Sequence, residues 1–312
     1  MKSMGIRTRV LALTLCMLGF AQSSFADLID DVRTRLAQNS FAAADAEVRD
    51  YKARNGVTPE YLEALSWMAR GEEAAKQWEQ ATSYASETRT QCERELAKRK
   101  MDAEPHLPIA LGAAYEVQAH GMAAKGQQEA AIRLLRSALT RYGTTSIGLR
   151  IQKNLNMLEL VGRPAPAIEE KQFLGPKPPA WAALKGSPVL LFFWAHWCGD
   201  CKAEVPVIAR LRQEFGSTGL VVIGPTQLYG YGARGADATP AAERSYIESV
   251  RQKYYASLLD MPVPLSKQNF KTYGASTTPT LVLLNRAGQV ALYHPGAMTY
   301  EELRAALGNV TR

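Results

Sequence analysis

The sequence predicts a chain of two unlike parts, an all-α N-terminal part and a C-terminal α/β part. Three observations carry this. From Asp27 to about Leu160, alanine and leucine recur at spacings of three and four, and no convincing strand pattern occurs. From Val189 to Trp194 the chain is one apolar run, bulky enough for a strand buried on both faces. Directly after it, Cys198, Gly199, Asp200 and Cys201 precede Lys202 to Phe215, where Val205, Ile208, Ala209 and Leu211 recur on one helical side. Two cysteines thus stand where a buried strand hands over to a helix. The 312 residues suit about two domains, and 46% hydrophobic with 21% charged residues is ordinary for globular protein.

Residues 1–26 read as a secretory signal. Lys2, Arg7 and Arg9 form a basic start, Val10 to Phe20 is apolar, and Ser24-Phe25-Ala26 supplies small residues for cleavage before Asp27. The apolar run is shorter than the ~20 residues a membrane span needs. Lipid attachment at Cys16 is disfavoured, because Cys16 lies inside the apolar run. The expected destination is across the inner membrane, in the periplasm of a Gram-negative host, with no stable span left after cleavage. The net charge is +7, of which three positive charges lie in this segment with no acid beside them. No basic block is long enough for a nucleic-acid surface; Lys98-Arg99-Lys100 reads as a solvated helix end.

Helices are expected over 27–38, 41–54, 59–70, 72–100, 107–124, 127–141 and 146–159. The breaks are Asn55-Gly56, Gly71, Pro105, Gly126 and Tyr142-Gly143. A weak repeat runs through them. Gly126 to Ala131 with Leu135 and Ala138 resembles the second half of a tetratricopeptide motif, and Phe41-x-x-Ala44 and Trp78-x-x-Ala81 share its bulky-x-x-Ala form. Spacings of 37 and 50 residues between the alanines depart from the regular period of about 34. Degenerate repeat pairs and a plain bundle with alanine-lined contacts both fit. Either presents a surface for a protein partner.

Beyond the helical part, Phe173 to Ala180 is proline-rich and irregular, and Leu220 to Gly224 is a second buried strand. Glu243 to Leu258 is a helix, Thr280–Asn285 and Gln289–His294 make a hairpin around Arg286-Ala287-Gly288, and Tyr300–Leu307 is the closing helix. Pro225 to Ala242 is long, glycine- and tyrosine-rich and aperiodic. It reads either as a floppy insertion or as a functional loop in which Tyr229 and Tyr231 line a substrate surface.

The cysteines carry the chemistry. A helix N-terminus has free N–H groups and a partial positive charge, so a thiolate there is stabilised and its pKa falls. Cys198 would attack a disulfide, and Cys201, one turn inward, would resolve the mixed disulfide. A zinc site needs a second ligand pair, and His106, His120, His196 and His294 are scattered. No metal and no cofactor is expected. With Cys16 removed only Cys92 is left over, read as a free thiol without a role or, alternatively, a site of intermolecular bridging.

The run FFWAHWCGDCKAEVP resembles the thioredoxin superfamily pattern F-W-A-x-W-C-x-x-C-K with a proline five residues past the second cysteine. Trp194, Trp197, Lys202 and Pro206 fall in place. Ser276-Thr277-Thr278-Pro279-Thr280 is similar to the family's cis-proline loop, and within the superfamily the chain is most similar to TlpA/ResA-like thiol–disulfide oxidoreductases. The resemblance covers roughly Gly162 to Arg312. Its G-x-P-A-P entry, Gly162 to Pro166, places a boundary near 161, giving parts 1–26, 27–160 and 161–312. It implies a thioredoxin-like α/β fold, a redox pair Cys198/Cys201, and substrate contact through Trp197, Thr278 and Pro279. It also implies that Phe192 stands where thioredoxin has a buried aspartate. Proton handling is therefore expected from Glu204, three residues after Cys201, which matches a glutamate of the ResA-like motif.

Gly199 and Asp200 replace the Gly-Pro pair of thioredoxin. A carboxylate at Asp200 disfavours the Cys198 thiolate unless it points to solvent, and His196 acts in the opposite direction when protonated. As a surface histidine, the reading preferred here, His196 has no role. The resulting expectation is an exported oxidoreductase that reduces or exchanges protein disulfides, served by an upstream thiol donor. Its alternative is a helical scaffold or adaptor whose C-terminal part senses redox state without turnover.

Overall fold

A computed structural model describes residues 27–311; the expected signal segment lies outside the described residues. The first seven helices are α1 (Leu28–Ala37), α2 (Phe41–Asn55), α3 (Pro59–Ala74), α4 (Trp78–Leu96), α5 (His106–Ala124), α6 (Gln128–Tyr142) and α7 (Gly148–Glu159). The first six form three hairpins, turned the same way each time. Asn39, Lys76 and Gly126 adopt left-handed backbone, with φ of 57°, 59° and 76°. The next N–H, of Ser40, Gln77 or Gln127, donates back to the carbonyl of Arg35, Glu72 or Met122, which closes the end of the helix. Each second helix then brings a fully buried alanine, Ala44, Ala81 or Ala131, against its partner. The residues that suggested a repeat therefore hold equivalent places. The longer second spacing comes from longer helices, 19 residues each in α4 and α5 against 15 and 16 in α2 and α3, and from a longer connection before the third hairpin, Ala97 to Pro105, with a short 3₁₀ turn at Met101–Ala103.

Two boundaries need correction. The expected break at Gly71 does not occur: α3 runs through it to Ala74. Glycine is there for closeness, since a Cβ would sit 2.7 Å from the Leu36 side chain of α1. The true break is at Lys76, which no glycine announces. The expected helix 72–100 is accordingly shorter, Trp78 to Leu96.

The C-terminal part comprises β1 (Phe173–Leu174), β2 (Val189–Phe193), α8 (Gly199–Glu214), β3 (Val221–Ile223), α9 (Pro240–Tyr254), β4 (Val263–Pro264), α10 (Lys267–Tyr273), β5 (Thr280–Leu284), β6 (Val290–Pro295) and α11 (Tyr300–Thr311). The main sheet has order β3-β2-β5-β6, with β2 parallel to β3 and antiparallel to β5, and β5 antiparallel to β6. Every residue of β2 and of β5 is buried, as the apolar runs require. Leu190, Phe192 and Trp194 face the core with α8 and α11; Val189, Leu191 and Phe193 face the core with α10. The segment read as irregular, 173–180, contains β1, which pairs antiparallel with β4. Past α7 the chain pairs with the start of β6 and the turn before it: Gly162 N–H donates to Val290 O, Val290 N–H to Arg163 O, and Ala165 N–H to Gly288 O.

Helix α7 joins the two parts. Asn156 Nδ2 donates to Thr272 O at 3.3 Å. Gly274 ends α10 with φ 58°, and a Cβ there would lie 2.4 Å from the backbone nitrogen of Lys153. Backbone does not yield as a flexible side chain does. Gly274→Val is expected to destabilise the protein by about 2–3 kcal/mol, checked by denaturant unfolding; an unchanged midpoint would mean that α7 and α10 separate freely.

On its other side α7 meets a polar cluster. His120 places Nδ1 2.6 Å from Glu73 Oε1 and Nε2 3.1 Å from Asn154 Oδ1. Asn154 Nδ2, Arg150 Nε and Lys153 Nζ all donate to Glu116 Oε2. Burial would raise the Glu116 carboxyl, but Arg150 and Lys153 override it and hold it low. For His120, burial works downward and the Glu73 carboxylate outweighs it, so its pKa is raised. A group raised on folding stabilises fully below its unfolded pKa of about 6.5, and that contribution is lost as pH rises through the folded value. Unfolding free energy measured from pH 6 to 9 should therefore fall with pH, and His120→Gln should flatten the curve. Parallel curves would remove His120 from the pH dependence.

Candidate active site

Strand β2 leads through Trp194 and Ala195 to the cysteines. Trp194 is fixed by its indole N–H donating to Gly224 O at 2.9 Å and by its carbonyl accepting from Thr226 Oγ1 at 2.7 Å. Cys198 is the N-cap of α8. Cys198 and Cys201 are joined as a disulfide, with Cα atoms 5.3 Å apart, and the Cys201 N–H donates to Cys198 Sγ at 3.0 Å. Cys201 is fully buried and Cys198 nearly so. Across from them the Thr278–Pro279 peptide is cis, and Thr278 O lies 3.3 Å from Cys198 Sγ. The Thr278 hydroxyl is buried without a hydrogen-bond partner. Trp197, the residue before Cys198, is half exposed. Cys198, Cys201, Trp197, Thr278 and Pro279 therefore meet at one end of the sheet.

Glu204 is 3% exposed, one turn along α8 from Cys201. Burial pushes its carboxyl pKa up; the Met298 N–H, 3.4 Å from Oε1, opposes this only in part. Phe192 is fully buried in the same core. Gly199 and Asp200 form the exposed first turn of α8, with the carboxylate in solvent where the helix dipole favours it.

His196 corrects a sequence expectation. It is not on the surface but 1% exposed, with Nε2 3.3 Å from Oε1 of Glu243, itself 1% exposed. The approach is an ion-pair contact rather than an aligned hydrogen bond, and both ring nitrogens lack a hydrogen-bond partner. Desolvation lowers the imidazole pKa; Glu243 works against it. Three tyrosine rings pack edge-on around His196: Tyr229, Tyr231 and Tyr246, with centroids 5.6, 5.4 and 5.3 Å away. The 225–242 stretch is thus an anchored loop rather than a floppy one. Glu243 Oε1 accepts the Tyr229 N–H at 2.6 Å and Oε2 accepts the Gly230 N–H at 2.8 Å. Helix α9 also starts three residues before the expected Glu243, at Pro240 behind the N-cap Thr239. Sequence reasoning missed Glu243, because an acid in a helix's first turn is ordinary and its partner is 47 residues away. Cys92 is fully buried between helices, which removes the intermolecular bridge, and burial pushes its thiol well up.

A sheet carrying a strand–Cys-x-x-Cys–helix junction opposite a cis-proline defines the thioredoxin-fold class. A thioredoxin-like domain family matches residues 179–311. The Bacillus subtilis thioredoxin-like protein YneN is 30% identical over 147 residues, which is 47% of this chain and 78% of YneN. The chain belongs to the thioredoxin-like family. The thiol-disulfide oxidoreductase ResA of Bacillus thuringiensis is 30% identical over 129 residues, covering 41% of this chain; the match spans 65% of the length of that ResA. Among solved structures, StoA of Bacillus subtilis aligns at 25% identity over 39% of this chain and 84% of StoA, with a TM-score of 0.32.

Proposed function

We propose that this chain is an exported thiol–disulfide oxidoreductase that reduces or exchanges protein disulfides through Cys198 and Cys201. The observation that carries the reading is Cys198 Sγ at the helix N-cap, receiving the Cys201 N–H at 3.0 Å beside Thr278 O at 3.3 Å. The relatives named ResA support the same chemistry.

In the reduced protein the Cys198 thiolate, favoured by the α8 N-terminus, attacks one sulfur of a substrate disulfide and expels the other as a thiol. Cys201 then gives up its proton and attacks Cys198 Sγ. The substrate leaves with both cysteines reduced, and two electrons have moved onto it. The Cys198–Cys201 disulfide is the product state, returned to dithiol by an upstream thiol donor. Glu204 is assigned as acceptor of the Cys201 proton. Trp197, Thr278 and Pro279 face the substrate. Gly199 and Asp200 follow Cys198 directly and His196 stands two residues before it, with Asp200 acting weakly through solvent.

Export rests on the composition of residues 1–26. Among the described residues no helix is long and apolar enough to cross a membrane. Residues 27–160 are assigned to a protein partner and 161–312 to the chemistry. The test is thiol labelling of the full mature chain across a series of redox buffers, followed by turnover with a small disulfide. Titration of Cys198 and Cys201 as one two-electron couple is expected. A couple without turnover would favour the scaffold or sensor reading, and no couple would end the oxidoreductase reading.

A further inference from the structure

The mechanism above uses neither Glu243 nor the tyrosine-rich loop, yet the molecule buries a charged side chain to hold them. Burying a carboxylate is costly unless its oxygens are satisfied. Here they are: one oxygen takes the Tyr229 N–H, the other the Gly230 N–H, and His196 closes the third side. The carboxylate thus ties the first half of the loop to the start of α9. It also ties the loop to the residue two places before Cys198. The consequence reaches the surface through Tyr229, whose ring packs edge-on against Trp197 with centroids 5.6 Å apart. Tyr231 extends the same wall, 6.0 Å from Tyr229. Trp197, at 50% exposure, is a large apolar side chain left open next to the attacking sulfur.

We propose that His196 and Glu243 are positioning residues that hold Tyr229 and Tyr231 behind Trp197, making an aromatic wall that selects disulfides whose cysteine is flanked by an apolar side chain. The inference rests on the oxidoreductase reading and adds a substrate class to it. A peptide bound in the reacting geometry carries its cysteine at Cys198, so its neighbouring residue falls on Trp197. An apolar residue there exchanges water for ring surface, and a polar one does not. Without Glu243 the loop loses both backbone anchors, and Trp197 loses the ring that backs it.

The test uses two short peptide disulfides that differ only by Phe or Ser beside the cysteine, with the ratio of their kcat/KM values as readout. The wild-type protein should prefer the Phe peptide by about tenfold. Glu243→Ala should bring the ratio close to one, and Glu243→Gln, which keeps one acceptor oxygen, should lie between. A general loss of stability lowers both rates and leaves their ratio unchanged, so the ratio separates positioning from structure. Should Glu243→Ala not fold, Tyr231→Ser on the partly exposed rim carries the same expectation. Equal wild-type rates for the two peptides, or a ratio unmoved by these variants, would overturn the proposal. Reduction of neither peptide by the wild-type protein would overturn the oxidoreductase reading with it.

Discussion

Cys201→Ser should leave the protein covalently joined to its substrate. Cys198 still forms the mixed disulfide, but the group that breaks it is gone, and serine is too weak a nucleophile to replace a thiol. Non-reducing electrophoresis of the variant expressed in cells should show adducts that vanish with reductant, and the adducts name the physiological partner. Cys198→Ser should form none and should lose at least ~10³-fold in turnover, as removal of a nucleophile does. The two cysteines differ in access as these roles require: Cys201 is fully buried, and Cys198 retains 4% exposure next to the open Trp197. Adducts that persist in Cys198→Ser would reverse the assignment of the two sulfurs.

Glu204→Gln is the second large expectation. Where thioredoxin carries a buried aspartate, this chain has Phe192, and the buried carboxyl of α8 is Glu204, raised in pKa by that burial. Removing a general base costs typically 10²-fold or more. Since water competes here, a loss of roughly ten- to a hundredfold in the resolving step is expected. The wild-type rate should rise with pH through the Glu204 titration, and the variant should lack that limb. Stability has the opposite sign. The folded state keeps its proton from the ordinary glutamate pKa of about 4.3 up to the raised value, so stability falls as pH rises across that window. The glutamine variant should not show this fall. Superimposable rate profiles would remove Glu204 and leave water as the acceptor.

What was legible in the sequence follows from how each feature is encoded. Strand β2, the cysteine pair and α8 are written in contiguous residues: an apolar run, a short motif and a helical period. The cis-proline loop is a local motif as well. Gly71 misled because glycine marks two different things, a turn or a close approach, and only the position of Leu36 decides between them. Lys76 misled in the other direction, since a lysine turns a corner that usually falls to glycine or asparagine. His196 and Glu243 were unreadable for a third reason. A single polar residue next to an apolar run carries no period, and a buried pair is visible only when both members are placed. The three hairpins were half legible, because the alanine positions were right while the 50-residue interval concealed their equivalence.

The strip from Gly162 to Ala165, bonded at the start of β6, bears on how the redox part is best isolated. Strand β6 ends the four-stranded sheet, and its outward N–H and C=O groups would otherwise be free to recruit a strand from a neighbouring molecule. Gly162 and Arg163 occupy those of Val290, the first residue of β6, and Ala165 bonds Gly288 in the turn before it. A fragment that begins at residue 161 therefore keeps the first rung of that edge covered, whereas one trimmed to the homologous stretch from 179 bares it. Concentration-dependent aggregation of the shorter fragment, absent from the longer, is the behaviour that this strip predicts.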